Sequence, residues 1–280
     1  MMETIEDVIL RHSQRGMLKL KEHMEDSYCE IAAREIMSWK PGVVLLTTGF
    51  YVAGYPETDG PAGTMVLATA LKQLGFEPII VTDRAFAVLF TIRNFGVVPV
   101  DVDFTEDDLR KIIDRYQPVG MVSIERCGIN IEDDYANMRG KSIREFNAPI
   151  DKLFELAPEY SIPTIGVGDG GNEIGMGNMA DVIKNELSLV PCRVKVDKLV
   201  IASVSNWGAY GLTAYLSVLS GRNVLLTHKE IHEYIFETVK IGSCDGITHE
   251  LVPHVDGFGE DIEQEIVDAL QDQIKQRMVG

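Results

Sequence analysis

The hydrophobic pattern changes period along the chain. Over residues 4–20 and 22–39 apolar positions return every three or four residues, the spacing of amphipathic helices. Thr4 and Asp7 stand as a capping pair, and Pro41-Gly42 ends the second helix. Short, unbroken apolar runs then begin, at 43–47, 78–82, 97–102, 119–124, 163–167 and 199–204. Helical stretches alternate with them: 61–74, 85–94, one capped by Thr105 and running to Tyr116, 149–157, 172–187 and 207–219. A helix capped by Thr227 with Glu230 runs to Lys240, a last strand is expected over 251–255, and an amphipathic helix over 261–278 closes the chain. Strands that are apolar throughout are buried on both faces, so the pattern predicts a mostly parallel sheet with helices on both sides. The expected fold is therefore a three-layer, Rossmann-like α/β domain spanning residues 1–280. Residues 1–40 form a helical N-terminal extension packed on it. The stretch 126–148 is too long for a simple connection, which points to function.

In such sheets ligands bind outside the carboxyl ends of the strands. The first strand is followed by TTGFYVAGYPETDGPAG, bringing Thr48, Gly49, Glu57, Asp59 and Gly60 to that edge. The fourth ends in Glu125-Arg126 and leads into Tyr135, Asn137, Arg139 and Lys141. The fifth is followed by GDGGNEIGMGN and the sixth by SNWG, which includes Asn206. The opposite strand ends start on plain residues such as Pro78, Val119 and Pro163. That asymmetry argues for a small-molecule site.

A tight turn capped by Asp169 or Asn172 accounts for part of the fifth segment. Six glycines between Gly166 and Gly177 exceed what a cap requires. With a helix starting near Asn172, the backbone of Gly170, Gly171 and Asn172 would offer N–H groups at a positive helix end, suited to a carboxylate or phosphate. Asp169 and Glu173 add negative charge in the same place, fitting a zwitterion or an anion bridged by a divalent cation. Gly166, Gly168 and Gly171 satisfy G-x-G-x-x-G, yet the next strand ends in Ser203-Val204-Ser205 rather than an acid, so a dinucleotide is not expected. For Glu125-Arg126 an ion pair competes with a site role. Asn206 is either a cap or a ligand-binding amide. His228 and His232 stand four apart, but Lys229 replaces the glutamate of H-E-x-x-H, so they are expected to be an exposed pair.

Charge narrows the partners. The 280 residues carry 43 acids against 26 bases, a formal net charge of −17, which repels nucleic acid. Part of that excess suits a metal site, and an all-oxygen donor set among Asp169, Glu173 and Glu125 favours Mg²⁺ or Mn²⁺ over zinc. Cys29, Cys127, Cys192 and Cys244 are too scattered for a disulfide framework, consistent with reduced thiols in a cytoplasmic protein. The longest uncharged run, 199–221, is broken by Ser203, Ser205, Asn206 and Gly208 and is expected to be strand, turn and helix rather than a membrane span. A homo-oligomer is compatible with all of this.

These segments resemble the glutamate cyclase-like family, in the free-standing prokaryotic form of its domain. The resemblance is carried by Thr47-Thr48-Gly49-Phe50, Glu57-Thr58-Asp59-Gly60-Pro61, Glu125-Arg126, Tyr135, Asn137, Arg139, Pro149-Ile150-Asp151, Gly166 to Gly177 and Ser205-Asn206-Trp207-Gly208. It covers nearly the whole chain from Arg15-Gly16. Cys127 departs from it, standing where a small residue is usual. The resemblance implies a lyase that closes D-glutamate to 5-oxo-D-proline with loss of water. On that reading the catalytic candidates are Glu125, Asp169, Glu173, Glu57 and Asp59. A general base near neutral pKa would come from mutual repulsion of such acids. Arg126, Arg139 or the Gly60 helix start would hold substrate carboxylates, and Gly170, Gly171 and Asn172 would donate to the oxyanion. The alternatives are a non-catalytic binder of an acidic amino acid or nucleotide metabolite, and a metal-dependent enzyme acting on a phosphorylated small molecule.

Overall fold

The computed structural model describes residues 3–52 and 54–279. Six parallel strands form the sheet: β1 (Val43–Gly49), β4 (Glu77–Asp83), β5 (Gly96–Val100), β6 (Gly120–Arg126), β7 (Thr164–Gly168) and β8 (Lys198–Ile201). A two-residue hairpin of β2 (Tyr51–Val52) and β3 (Tyr55–Pro56) stands apart from it. The spatial order is β5-β4-β1-β6-β7-β8. The chain thus first winds outward from β1 to β5, then crosses to β6 on the other side of β1. The reversal places the topological switch point between β1 and β6, where open α/β sheets leave a crevice.

Helices α1 (Ile5–Ile9), α3 (Tyr28–Ser38), α4 (Pro61–Gln73) and α11 (Glu260–Val279) pack around α9 (Ser205–Ser220), which is buried almost throughout. Trp207 and Tyr210 of α9 each donate a hydrogen bond to Glu263 of α11, at 2.7 and 2.8 Å, so one buried carboxylate locks the two helices. Helices α6 (Glu106–Tyr116) and α7 (Lys152–Leu156) pack together elsewhere on the sheet, and α5 (Ala87–Thr91) sits beside β5. Helix α10 (His228–Lys240) lies against α4 and α11. One continuous apolar core runs from Ile5 to Ile274. The expected α/β sheet with flanking helices is what forms, and among the described residues no helix is long and apolar enough to cross a membrane.

Several expectations are overturned. The helix over 4–20 is broken into α1 and α2 (Met17–Lys21), because Gly16 takes a left-handed φ of +82° and starts the second piece. The helix over 22–39 begins only at Tyr28. No helix starts at Asn172: Gly171 (φ +120°) and Gly175 (φ +103°) turn the chain, and only short pieces follow, at Met176–Met179, α8 (Ala180–Val182) and Ile183–Leu187. No helix dipole therefore faces the site from that segment. Residues 251–255 do not join the sheet; they lie in an irregular loop closed by a bridge between Val255 and Phe258. At Gly16, Gly171 and Gly175 glycine backbone overrode the apolar period.

Candidate active site

The site begins with a β-bulge. Thr48 pairs with Ile124, but Gly49 pairs with Arg126, so Glu125 is the extra residue. It takes a left-handed φ of +44°, which costs a non-glycine residue about 1–3 kcal/mol. A regular strand would send Glu125 and Arg126 to opposite faces; the bulge re-aims both. Arg126 turns inward, fully buried. It pairs with Asp83 and donates to the carbonyls of Gly49 (2.9 Å) and Ala148 (2.7 Å). It does not border the cavity described below; it ties the ends of β1 and β4 to the long loop. Removing one partner of a buried pair costs about 3–5 kcal/mol. Arg126→Ala is accordingly expected to lower stability by that amount in a urea melt; a loss under 1 kcal/mol would contradict this role.

Two helices enter the site and cap each other. Asp59, before α4, accepts from the first N–H groups of α9, Ser205 at 3.0 Å and Asn206 at 2.8 Å, and from Gly60 at 2.9 Å. Asn206, at the start of α9, returns the favour: its Oδ1 accepts from Gly60 (2.9 Å) and Gly63 (2.6 Å) of α4. Asn206 is thus a cap, but of the neighbouring helix, and its amide is spent there. Gly60 (φ +93°) and Gly63 permit the approach, because a Cβ on either would collide with Thr48 and Glu125, or with Asn206 and Ala209.

Around this junction, buried carboxyls of Glu57, Asp59, Glu125, Asp169, Glu173 and Asp256 gather about one guanidinium, that of Arg15. Arg15 donates to Asp169 and to Asp256, both at 2.6 Å. One oxygen from each of Asp59, Asp169 and Asp256 lies within 4.8 Å of the others, and the same holds for Glu125, Asp169 and Glu173. Two full charges at that separation repel by about 3 kcal/mol at an effective dielectric near 20. One guanidinium cannot neutralise six carboxylates, so the cluster retains protons or takes a cation. Burial, reinforced by neighbouring acids, pushes the carboxyls of Glu57, Asp59 and Glu125 well above the usual range. Burial also raises Asp256, to about 8, and Asp169, to about 6, with Arg15 opposing both shifts. Ser205 Oγ donates to Glu125 Oε2 at 2.6 Å. Glu173 folds back on its own loop, accepting from Gly171 N–H at 2.7 Å, which takes that group out of the expected oxyanion set.

The raised values fix the pH dependence of stability. An acid whose folded pKa exceeds its unfolded value of about 4 stabilises fully below that value and loses the contribution as pH rises through the folded pKa. The cluster thus erodes stability as pH rises through about 6 and about 8. Asp7 and Asp108, held at about 2 chiefly by Lys21 and Lys111, act in the opposite sense below pH 4. The melting temperature is expected to peak at about pH 4 and to fall steadily towards pH 8.5, measured by differential scanning calorimetry; a flat or rising profile over that window would contradict it.

The cluster opens through Arg15, Glu57, Glu125 and Asn172 into a cavity of about 630 Å³. Its walls include Phe50, Tyr51 and Phe146, the last two stacked at 4.8 Å, and its rim carries Asn137, Arg139, Lys141 and His249. The long loop after β6 is thus ordered and forms one wall. Asn137 shapes it, its Oδ1 accepting from Arg139 N and Lys141 N at 3.0 Å. Tyr135 lies beneath, donating to Asp151 at 2.7 Å, with Arg144 over its ring. Thr48 Oγ1 and Asn172 Oδ1 are buried without a hydrogen-bond partner. Another cavity, of about 570 Å³, lies at the opposite strand ends by Pro163, Thr164 and Lys198. None of the carboxyl clusters of the described residues borders it; they gather at the switch point.

A model of the family described as D-glutamate cyclase-like, C-terminal, matches residues 5–271. The chain belongs to this family. The chain is also 35% identical over 201 residues to the human protein named D-glutamate cyclase, mitochondrial. That match covers 63% of this chain and 33% of the relative, so the chain spans about a third of the relative's length.

The structure places Glu57, Asp59, Glu125, Asp169 and Glu173, the acids expected at the strand ends, near one another. Sequence reasoning missed Arg15, placed inside a supposed helix, and Asp245 and Asp256, which flank the supposed last strand. A signal was present. The chain has four Asp-Gly pairs, starting at Asp59, Asp169, Asp245 and Asp256. The first, second and fourth supply cluster acids. Asp245 holds the last loop, accepting from Thr248 N at 2.6 Å and Gly257 N at 2.7 Å.

Proposed function

We propose that this chain is a lyase that cyclises D-glutamate to 5-oxo-D-proline with release of water. The observation that carries the reading is the set of proton-retaining carboxyls at the switch point, open to a cavity through Glu57, Glu125 and Arg15. The name of the human relative supports the substrate. In the reaction the amine nitrogen bonds to the side-chain carboxyl carbon and a carbon–oxygen bond of that carboxyl breaks. The substrate ammonium must give up two protons in all, and the departing carboxylate oxygen must gain two to leave as water. Glu57 and Glu125 border the cavity and form the acid and base pair, one protonated and one ionised. Asp59, Asp169 and Asp256 behind them set that division by repulsion. Arg15 stabilises the charge developing on the carboxyl oxygen. Asn172 Oδ1, which lacks a partner, accepts from the substrate ammonium. Arg139 and Lys141 hold the α-carboxylate at the rim.

The two acid triads that share Asp169 also fit Mg²⁺ or Mn²⁺, which would supply Lewis-acid polarisation of a carboxyl oxygen. Arg15 and such an ion would share Asp169 and Asp256. The cationic rim favours a second reading, an enzyme acting on a phosphorylated small molecule. NMR of the purified protein with D- or L-glutamate, each with Mn²⁺, Mg²⁺ or EDTA, separates these. 5-Oxoproline from D-glutamate above the spontaneous rate is the expected result. No product from either enantiomer, with thermal stabilisation by phosphorylated compounds, would replace the cyclase by the second reading.

A further inference from the structure

Outside this site the described structure gathers one more set of metal-ligating side chains. His228 and His232 occupy one face of α10, four residues apart, with ring centroids 5.7 Å apart. The fold adds what the sequence spacing lacked. Glu260, the first residue of α11, reaches the pair, with Oε2 3.6 Å from His232 Nε2. One donor atom from each of the three lies within 4.8 Å of the other two. His228 Nε2 is buried with no hydrogen-bond partner, an arrangement that proteins rarely tolerate without a bound ion or water; His232 Nδ1 is likewise buried and unpartnered, while its Nε2 is the nitrogen that faces Glu260. Thr227 caps the helix just before His228, which places that ring in the first turn of α10. Lys229, the residue that spoils the protease motif, is exposed and faces Glu233 at 3.9 Å, so it does not occupy the site.

We propose that His228, His232 and Glu260 form a transition-metal site, with Zn²⁺ as its ion, that clasps α10 to the start of α11. Two imidazoles and a carboxylate are a zinc donor set, with water completing the tetrahedron. Ligands about 2.1 Å from zinc stand roughly 3.4 Å apart, so the exposed Glu260 side chain closes the remaining gap by rotating. The clasp fixes the returning end of the loop between α10 and α11. That loop carries Asp245 and, four residues before Glu260, Asp256, the partner of Arg15. Metal at this position therefore steadies a wall of the acid cluster without touching it. The site stands independently of the cyclase reading.

The test uses EDTA-stripped full-length protein, with Zn²⁺ titrated calorimetrically in excess Mg²⁺ to occupy the all-oxygen acids. Wild type is expected to bind Zn²⁺ and to gain melting temperature, with slower amide exchange over residues 243–259. The His228→Ala/His232→Ala protein is expected to lose at least tenfold in Zn²⁺ affinity while melting like wild type in EDTA, and Glu260→Gln to fall between them. Zn²⁺ binding by the double variant with unchanged affinity and stoichiometry would overturn the proposal, as would wild type that binds none.

Discussion

Arg15→Ala is expected to cost about 3–5 kcal/mol at pH 8, the usual penalty for stripping one partner from a buried ion pair, and markedly less at pH 5. The guanidinium is the cation that Asp169 and Asp256 share, at 2.6 Å each. Without it both carboxyls must stay neutral or remain charged and unpaired. At pH 5 they are already largely protonated, because their values stand at about 6 and about 8 even with Arg15 present. At pH 8 keeping a proton on Asp169 is itself costly. Urea melts at the two pH values read the difference directly. Arg15→Lys is expected to recover only part of it, since an ammonium is a point charge and does not span two carboxylates as a planar fork does. An equal loss at both pH values would mean that Arg15 acts through packing alone.

Glu125→Gln is expected to move stability and activity in opposite directions. The amide keeps the shape and still accepts from Ser205 Oγ through its carbonyl oxygen. It removes one carboxyl from a group in which burial, then Asp169 and Glu173, already hold Glu125 well above its usual range. At pH 8 the variant should gain stability, because burial and the neighbouring acids disfavour the ionised carboxylate, and near pH 4 it should gain nothing. The same change deletes a proton-transfer group, for which losses of roughly 100- to 10,000-fold in turnover are usual. A site that stores like charge for chemistry gains stability when that charge is removed. A variant that loses both stability and activity would show Glu125 to be structural.

The sheet was legible because its strands are short runs of Val, Ile and Leu, which bury on both faces whatever their neighbours. The acid loops after β1, β6 and β7 were legible because ligand sites follow from strand direction alone. What misled was backbone conformation. Gly16 breaks an apolar helical period, and Gly171 and Gly175 replace an expected helix start by a turn. Long-range pairing also has no local trace: nothing near Arg126 announces Asp83, and nothing near Asn206 announces Gly60 and Gly63. Arg15 and Asp256 are 241 residues apart in sequence; they follow α1 and precede α11, which pack on α9 and on each other.

The most direct test follows 5-oxoproline formation from D-glutamate by NMR, with wild type and Glu125→Gln side by side at equal folded concentration. If the buried acid cluster performs the cyclisation, wild type yields product above the spontaneous rate and the variant at least 100-fold less. Equal product from both proteins would place the chemistry elsewhere, and none from wild type would remove cyclisation from this chain.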